Sequence, residues 1–129
     1  NPDKRHKVTS EVISRHPADY LLPLLVGEYE LSGTGGARAA LPWINRGMYL
    51  APHFAPSHLL AGRALFKLGA VEQALLEYRL ACDIEPRQTP SVLREVFTLT
   101  GRIENVVGFG RKRPPASNTS DARCFHVHQ

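Results

Sequence analysis

The sequence predicts an all-α fold: an α-solenoid in which antiparallel helix pairs stack in one direction, followed by a flexible C-terminal tail. Two observations predict it. Apolar residues recur at steps of three and four along residues 1–108, which is the spacing of one helix face. Residues 19–52 also align with residues 53–86 at a fixed offset of 34. A repeat of this length indicates a stack of small helical units rather than one globular core.

The two aligned copies are identical at six of their 34 positions. About two identities would arise by chance at ordinary composition. The shared residues include a glycine in the middle of the repeat, a small residue soon after it and a closing proline, each of which has a role in a helix pair. The identical pairs are Leu25 with Leu59, Leu31 with Leu65, Gly35 with Gly69, Ala40 with Ala74, Leu41 with Leu75, and Pro52 with Pro86.

Residues 1–18 are predicted to contain the first helix. The opening Asn-Pro-Asp is a typical helix start, and Val8 and Val12 lie four residues apart on one face. We interpret this helix as the second half of a truncated preceding repeat. Pro17 would then close that repeat as Pro52 closes the next one.

Residues 53–86 predict two antiparallel helices joined by a tight turn. Leu59 and Leu65 belong to the apolar stripe of the first helix. Gly69 is expected to end this helix, because glycine adopts a left-handed backbone without a side-chain penalty. The second helix is expected to stop before Pro86, since proline disfavours helical backbone in the residue that precedes it.

The better copy also carries a recognisable spacing of small and large residues. These residues are Gly62, Leu65, Gly69, Ala74, Tyr78, Ala81 and Pro86. With them, residues 55–86 resemble a tetratricopeptide repeat (TPR). The aromatic residue usual in the first helix of that family is replaced by His58.

Two further copies are weaker. In residues 19–52, Pro42 falls inside the predicted second helix, where proline costs about 3 kcal/mol, so this helix is expected to start late or to bend. Residues 87–110 resemble a degenerate third repeat. Its helix is expected to start at Thr89, as a hydroxyl cap, with Pro90 in the first helical position.

Residues 111–129 have no apolar period and are rich in basic residues, Pro and Ser, which predicts a disordered tail. Within it, Cys124, His126 and His128 alternate, so an extended strand could turn all three toward one ion. A structural zinc site normally takes four protein ligands, and no second ligand pair is evident. We therefore favour an accidental cluster and expect neither a metal nor a cofactor.

Charge and hydropathy argue against several function classes. The chain has 16 basic and 12 acidic residues, but residues 17–108 hold eight and nine, so no basic face for nucleic acid is expected in the fold. The apolar run Tyr20–Val26 is too short to span a bilayer, so membrane insertion is not expected. Two cysteines and the lack of a secretory signal favour a reducing compartment such as the cytoplasm. Cys82 is expected to be a buried, small apolar residue.

Enzymatic chemistry is not expected either. The Gly-rich residues 33–36 invite a nucleotide-loop interpretation, but Arg38 stands where a dinucleotide loop needs a small residue. An inter-helix turn is the favoured interpretation. Glu72 and Glu77 lie five residues apart and diverge on a helix, so they do not form an acid–base pair.

The resemblance to the TPR family implies that the first helix of each unit lines a concave groove. Arg63 and Lys67 share one face and would offer a basic spot for a peptide with an acidic group or a free carboxylate. Leu59 and Phe66 have an alternative role as filling between helices. The lysine–asparagine clamp of chaperone-binding members is missing, because Leu59 and Arg63 occupy those places. The groove candidates are Leu25, Tyr29, Leu59, Arg63, Phe66, Lys67, Leu93 and Phe97.

Two functions remain as hypotheses. The leading one is a non-catalytic module that binds a protein or peptide partner in the groove, because stacked helix pairs expose a broad surface. The alternative is a structural or regulatory segment of a larger multidomain enzyme or envelope-assembly protein, which would pack against its own chain. If other parts of the chain already fill the groove, the first hypothesis fails.

Overall fold

The computed structural model describes residues 2–101, and the regular structure of this part is entirely helical. The predicted all-α class is thereby confirmed. Residues 111–129, including Cys124, His126 and His128, lie outside the described residues. The helices are α1 (Pro2–Arg15), α2 (Leu21–Ser32), α3 (Gly36–Leu50), α4 (Ala55–Lys67), α5 (Val71–Ile84) and α6 (Thr89–Thr100), with a short 3-10 turn at Pro86–Gln88.

Consecutive helices pack as hairpins. The closest packing is between α2 and α3 and between α4 and α5. Only three residues connect the helices of each pair, residues 33–35 and residues 68–70, so the two helices have to run antiparallel. Packing of α3 against α4 joins the two hairpins. Helix α6 packs on α5 and the 3-10 turn, and α1 contacts α2.

The first cluster of buried residues lies between α2, α3 and α4, where small residues let the helices approach closely. Ala40 and Ile44 of α3 are fully buried. A Cβ atom added to Gly27 of α2 would lie 2.7 Å from Cγ1 of Ile44, so only glycine fits there without displacing a neighbour. The cluster consists of Leu24, Leu31, Ala37, Ala40, Ile44, Leu60, Ala61 and Ala64.

The second cluster lies between α5 and α6. Tyr78 is fully buried in it, and its ring packs on Gly62, where an added Cβ would lie 3.1 Å from the ring. Cys82 is buried and free, as the sequence predicts. Leu59, Leu65, Phe66 and Leu75 pack against this cluster from α4 and α5, and its members are Ala74, Tyr78, Cys82, Val92 and Val96.

The two hairpin turns use glycine differently. Gly69 has φ +83°, so the predicted left-handed residue at this turn is confirmed. In the first hairpin the repeat alignment points to Gly35, but the positive φ of +68° belongs to Gly36. Gly36 is the first residue of α3, whereas Gly69 lies in the turn that precedes α5.

Two details of the helix starts differ from expectation. Helix α3 begins at Gly36 and contains Pro42 in its interior, which excludes the late start, one of the two expected effects of this proline. Pro42 is exposed, and the carbonyl that its ring leaves without a helical donor can bind water instead. Thr89 is already helical and makes no capping hydrogen bond, because the preceding 3-10 turn brings the chain to it in helical conformation.

Candidate functional site

Helices α2, α4 and α6 border a cleft of about 340 Å³. These are the helices that the sequence assigns to the first position in each repeat. The floor combines leucine and phenylalanine side chains with two acidic and two basic groups. The lining residues are Glu28, Leu31, Ser32, Leu60, Arg63, Phe66, Lys67, Glu95 and Leu99.

An ion pair crosses the cleft from α4 to α6. Arg63 Nη2 donates to Glu95 Oε1 at 2.8 Å, and Arg63 Nε lies 3.1 Å from both carboxylate oxygens. Hydrogen bonding to Glu95 raises the pKa of Arg63. Burial alone would raise the pKa of the Glu95 carboxyl, but the hydrogen bonds and charge of Arg63 bring it below its ordinary value. Both groups are therefore charged at neutral pH.

Lys67 connects α4 to the end of α2. Its Nζ donates to the carbonyl oxygen of Leu31 at 3.2 Å. Leu31 lies in the last turn of α2, where carbonyl groups lack intrahelical donors and the helix dipole favours a cation. The Lys67 side chain is exposed otherwise, so its ammonium group remains accessible from the cleft.

The four charged groups of the cleft balance one another. Arg63 and Lys67 form the basic pair expected from their spacing, but Glu28 and Glu95 contribute two carboxylates to the same cleft. Glu95 holds the guanidinium group directly, and Glu28 acts on it through space. The cleft as a whole therefore has no net positive charge, and a partner needs to match an alternating pattern of charge.

The structure brings three of the eight predicted groove residues, Arg63, Phe66 and Lys67, together in the cleft. Leu25 and Tyr29 are 61% and 55% exposed. Their positions place them on the same face of α2 as two lining residues, Glu28 and Ser32. They therefore flank the cleft.

The other three predicted residues lie away from the cleft. Leu59 packs against the second core cluster, which fits its alternative role as filling between helices. Leu93 is half-buried on α6. Phe97 is 46% exposed, and because it stands two residues from Glu95 it lies about 200° around the helix from the cleft side of α6.

Six lining residues were not among the sequence candidates: Glu28, Leu31, Ser32, Leu60, Glu95 and Leu99. Two of them could have been found from the sequence. Glu28 precedes Arg63 by 35 residues and Glu95 follows it by 32, both close to one repeat length, and both have the opposite charge. Residues one repeat apart come from equivalent helices of adjacent units, so opposite charges at this spacing indicate an ion pair between units. The remaining four carry no such signal.

A second cavity, of about 640 Å³, lies on the other side of α4, between α3 and α5. Its walls include Leu41, Met48 and Leu80, and a buried ion pair between His58 and Glu77 lines it. His58 is 7% exposed and Glu77 is half-buried. This pair was not predicted, because His58 and Glu77 come from different helices and stand 19 residues apart.

Within residues 2–101, no group of three or more His, Cys, Asp or Glu side chains is placed to hold a metal ion. In the same range no helix combines the length and apolar character needed to cross a membrane. Neither a protein-family model nor a curated protein matches the chain.

Proposed function

We propose that this chain is a non-catalytic, TPR-like solenoid segment that binds a protein or peptide in the cleft between α2, α4 and α6. One observation carries the proposal: three helices from successive units share a cleft with an apolar floor and exposed apolar side chains beside it. Isolated exposed apolar residues are ordinary, but their grouping around a concave surface is typical of interaction sites. The exposed ones are Leu25 and Tyr29 on α2 and Leu99 on α6.

The solenoid arrangement is part of the proposal. Two consecutive antiparallel hairpins, joined through the packing of α3 on α4, support it, as does the 34-residue repeat. In such a stack each unit contacts mainly its neighbours, and equivalent helices lie side by side. Their exposed faces then form one continuous surface for a partner.

The dimensions of the cleft favour a peptide. Its volume of about 340 Å³ stands at the low end of small-ligand pockets, and it accommodates only a few side chains. Leu31, Leu60 and Phe66 offer an apolar contact, while the four charged groups fix orientation through hydrogen bonds. A peptide with an apolar anchor residue flanked by charged residues matches this surface.

The experiment is a selection of random dodecapeptides on the immobilised chain, followed by titration of a fluorescent copy of each enriched peptide. Tyr29→Ala should weaken binding about tenfold or more, as expected for an aromatic contact in an interface. Tyr49→Ala is the matched control, because Tyr49 is 79% exposed but lines the second cavity on α3. It should leave the affinity unchanged.

A second variant, Lys67→Ala, probes the lining of the cleft itself. It removes an exposed ammonium group without opening the core, and it should also weaken binding. The proposal is wrong if no peptide is enriched, or if both cleft variants bind the enriched peptides as tightly as Tyr49→Ala does. Circular dichroism of each variant verifies that helicity is retained.

A further inference from the structure

The side chain of His58 hydrogen-bonds to two other parts of the fold. Nδ1 lies 2.8 Å from Glu77 Oε2 on α5, and Nε2 lies 2.7 Å from the carbonyl oxygen of Pro52. Pro52 belongs to residues 51–54, the turn that leads from the first hairpin to the second. His58 itself lies in the first turns of α4. One imidazole ring therefore connects the turn between the hairpins with the last helix of the second hairpin.

The geometry determines the charge state of His58. A carbonyl oxygen and an ionised carboxylate only accept hydrogen bonds, so both ring nitrogens have to donate. A neutral imidazole has one N–H and can satisfy only one of the two acceptors. Both bonds form together only when the ring is an imidazolium ion, and Glu77 supplies the balancing negative charge.

We propose that His58 is a pH-sensitive link between the inter-hairpin turn and α5. As an imidazolium ion it hydrogen-bonds to both, and when it loses a proton it loses one of the two hydrogen bonds. Because His58 is 7% exposed, bulk water cannot easily reach a ring nitrogen that has lost its proton. The carbonyl of Pro52 is the one to be released if the remaining proton stays on the nitrogen that faces the carboxylate.

The surroundings of the ring support this assignment. Glu77 is the charged group that acts on His58, and it lies on α5. The facing residues of α3 in the shared cavity include Asn45 and Tyr49. No lysine or arginine lines that cavity among the described residues, so no cation opposes protonation from that side.

The direction of the pKa shift agrees with the geometry. Burial alone would lower the pKa of His58, but the hydrogen bonds to Glu77 and Pro52 and the charge of Glu77 raise it above 6.5. The folded chain then holds this proton more tightly than the unfolded chain. The stabilisation is complete below pH 6.5 and is lost as the pH rises through the folded pKa. The free energy of unfolding is therefore expected to fall toward alkaline pH.

The first experiment is an NMR titration of the His58 imidazole in the intact chain. Near pH 6 both ring nitrogens should give the signals of protonated nitrogen, and the titration midpoint should lie above 6.5. Glu77→Gln should move the midpoint below 6.5, because the buried ring keeps its desolvation but loses the carboxylate. A wild-type midpoint at or below 6.5, or a ring with one bare nitrogen near pH 6, would overturn the proposal.

The second experiment measures urea unfolding between about pH 6 and pH 9, the range in which a histidine of raised pKa titrates. For wild type, the unfolding equilibrium constant should rise about tenfold for each unit by which the folded pKa exceeds 6.5. His58→Gln should remove this rise. His53→Gln, which changes an exposed histidine in the same turn, should retain it. If the unfolding equilibrium constant rises equally in His58→Gln and in wild type, the proposed role of His58 is wrong.

Discussion

Substitution of Gly27 by alanine tests the close approach of α2 and α3. The added Cβ would lie 2.7 Å from Cγ1 of Ile44, 3.4 Å from the Ile44 backbone nitrogen and 3.5 Å from the carbonyl oxygen of Ala40. Real Cβ atoms essentially never approach another heavy atom closer than 3.0 Å. Ile44 is fully buried, so the two helices have to separate or Ile44 has to leave its rotamer.

Two opposing effects set the magnitude. Alanine is favoured over glycine inside a helix by about 1 kcal/mol. Overpacking a closely packed contact costs about 1–3 kcal/mol. Because backbone atoms enclose the added methyl on two sides, the cost lies toward the upper end of that range. We expect Gly27→Ala to lower the free energy of unfolding by about 1–2 kcal/mol.

The assay is urea denaturation followed by circular dichroism at 222 nm. Gly62→Ala is the comparison, since its Cβ would lie 3.1 Å from the Tyr78 ring and needs a shift of only a few tenths of an ångström. It should change stability by less than Gly27→Ala does. Combining Gly27→Ala with Ile44→Ala should cost less than the two single variants added together, because the new methyl fills part of the cavity. Stabilisation by Gly27→Ala, or strict additivity, would refute the close contact.

Two further predictions concern the turn of the second hairpin and the buried thiol. Gly69→Ala should lower the unfolding free energy by about 1 kcal/mol. Backbone strain is the only cause, because φ is +83° and no atom lies within 4 Å of the added Cβ. An unchanged urea midpoint would disprove this. In a Cys124→Ser chain, Cys82 should react with iodoacetamide at least about a hundredfold more slowly than in urea, since reaction requires opening. Burial also raises the pKa of its thiol. Equal rates in buffer and urea would contradict that burial.

Local features of the fold were predictable because they depend on residues close in sequence. The apolar period predicts the helices, and the glycine of a tight turn predicts the end of α4, where Gly69 is left-handed. The predicted burial of Cys82 also holds. The offset between Gly35 and Gly36 escaped prediction. An alignment transfers residue positions but not backbone conformation, and in the first hairpin the left-handed residue is the first residue of α3.

The candidate site was harder to predict because its charged groups come from three different helices. The spacing of Arg63 and Lys67 describes one helix and suggests a basic spot. The cleft also contains Glu28 from the preceding hairpin and Glu95 from α6, and these change the charge of the site. Sequence periodicity predicts which residues share one face of a helix. It does not predict which other helix face lies opposite, and the charge of the site depends on both.

Helix α4 connects the cleft with the His58 hydrogen bonds. His58 and Lys67 stand nine residues apart, which places them about 180° apart around the helix. Lys67 and Arg63 hold one side of α4 to α2 and α6, whereas His58 holds the other side to α5 and the inter-hairpin turn. Loss of a proton from His58 frees one connection of the helix that supplies the cleft floor. If both proposals hold, peptide affinity should fall at alkaline pH in wild type but not in His58→Gln.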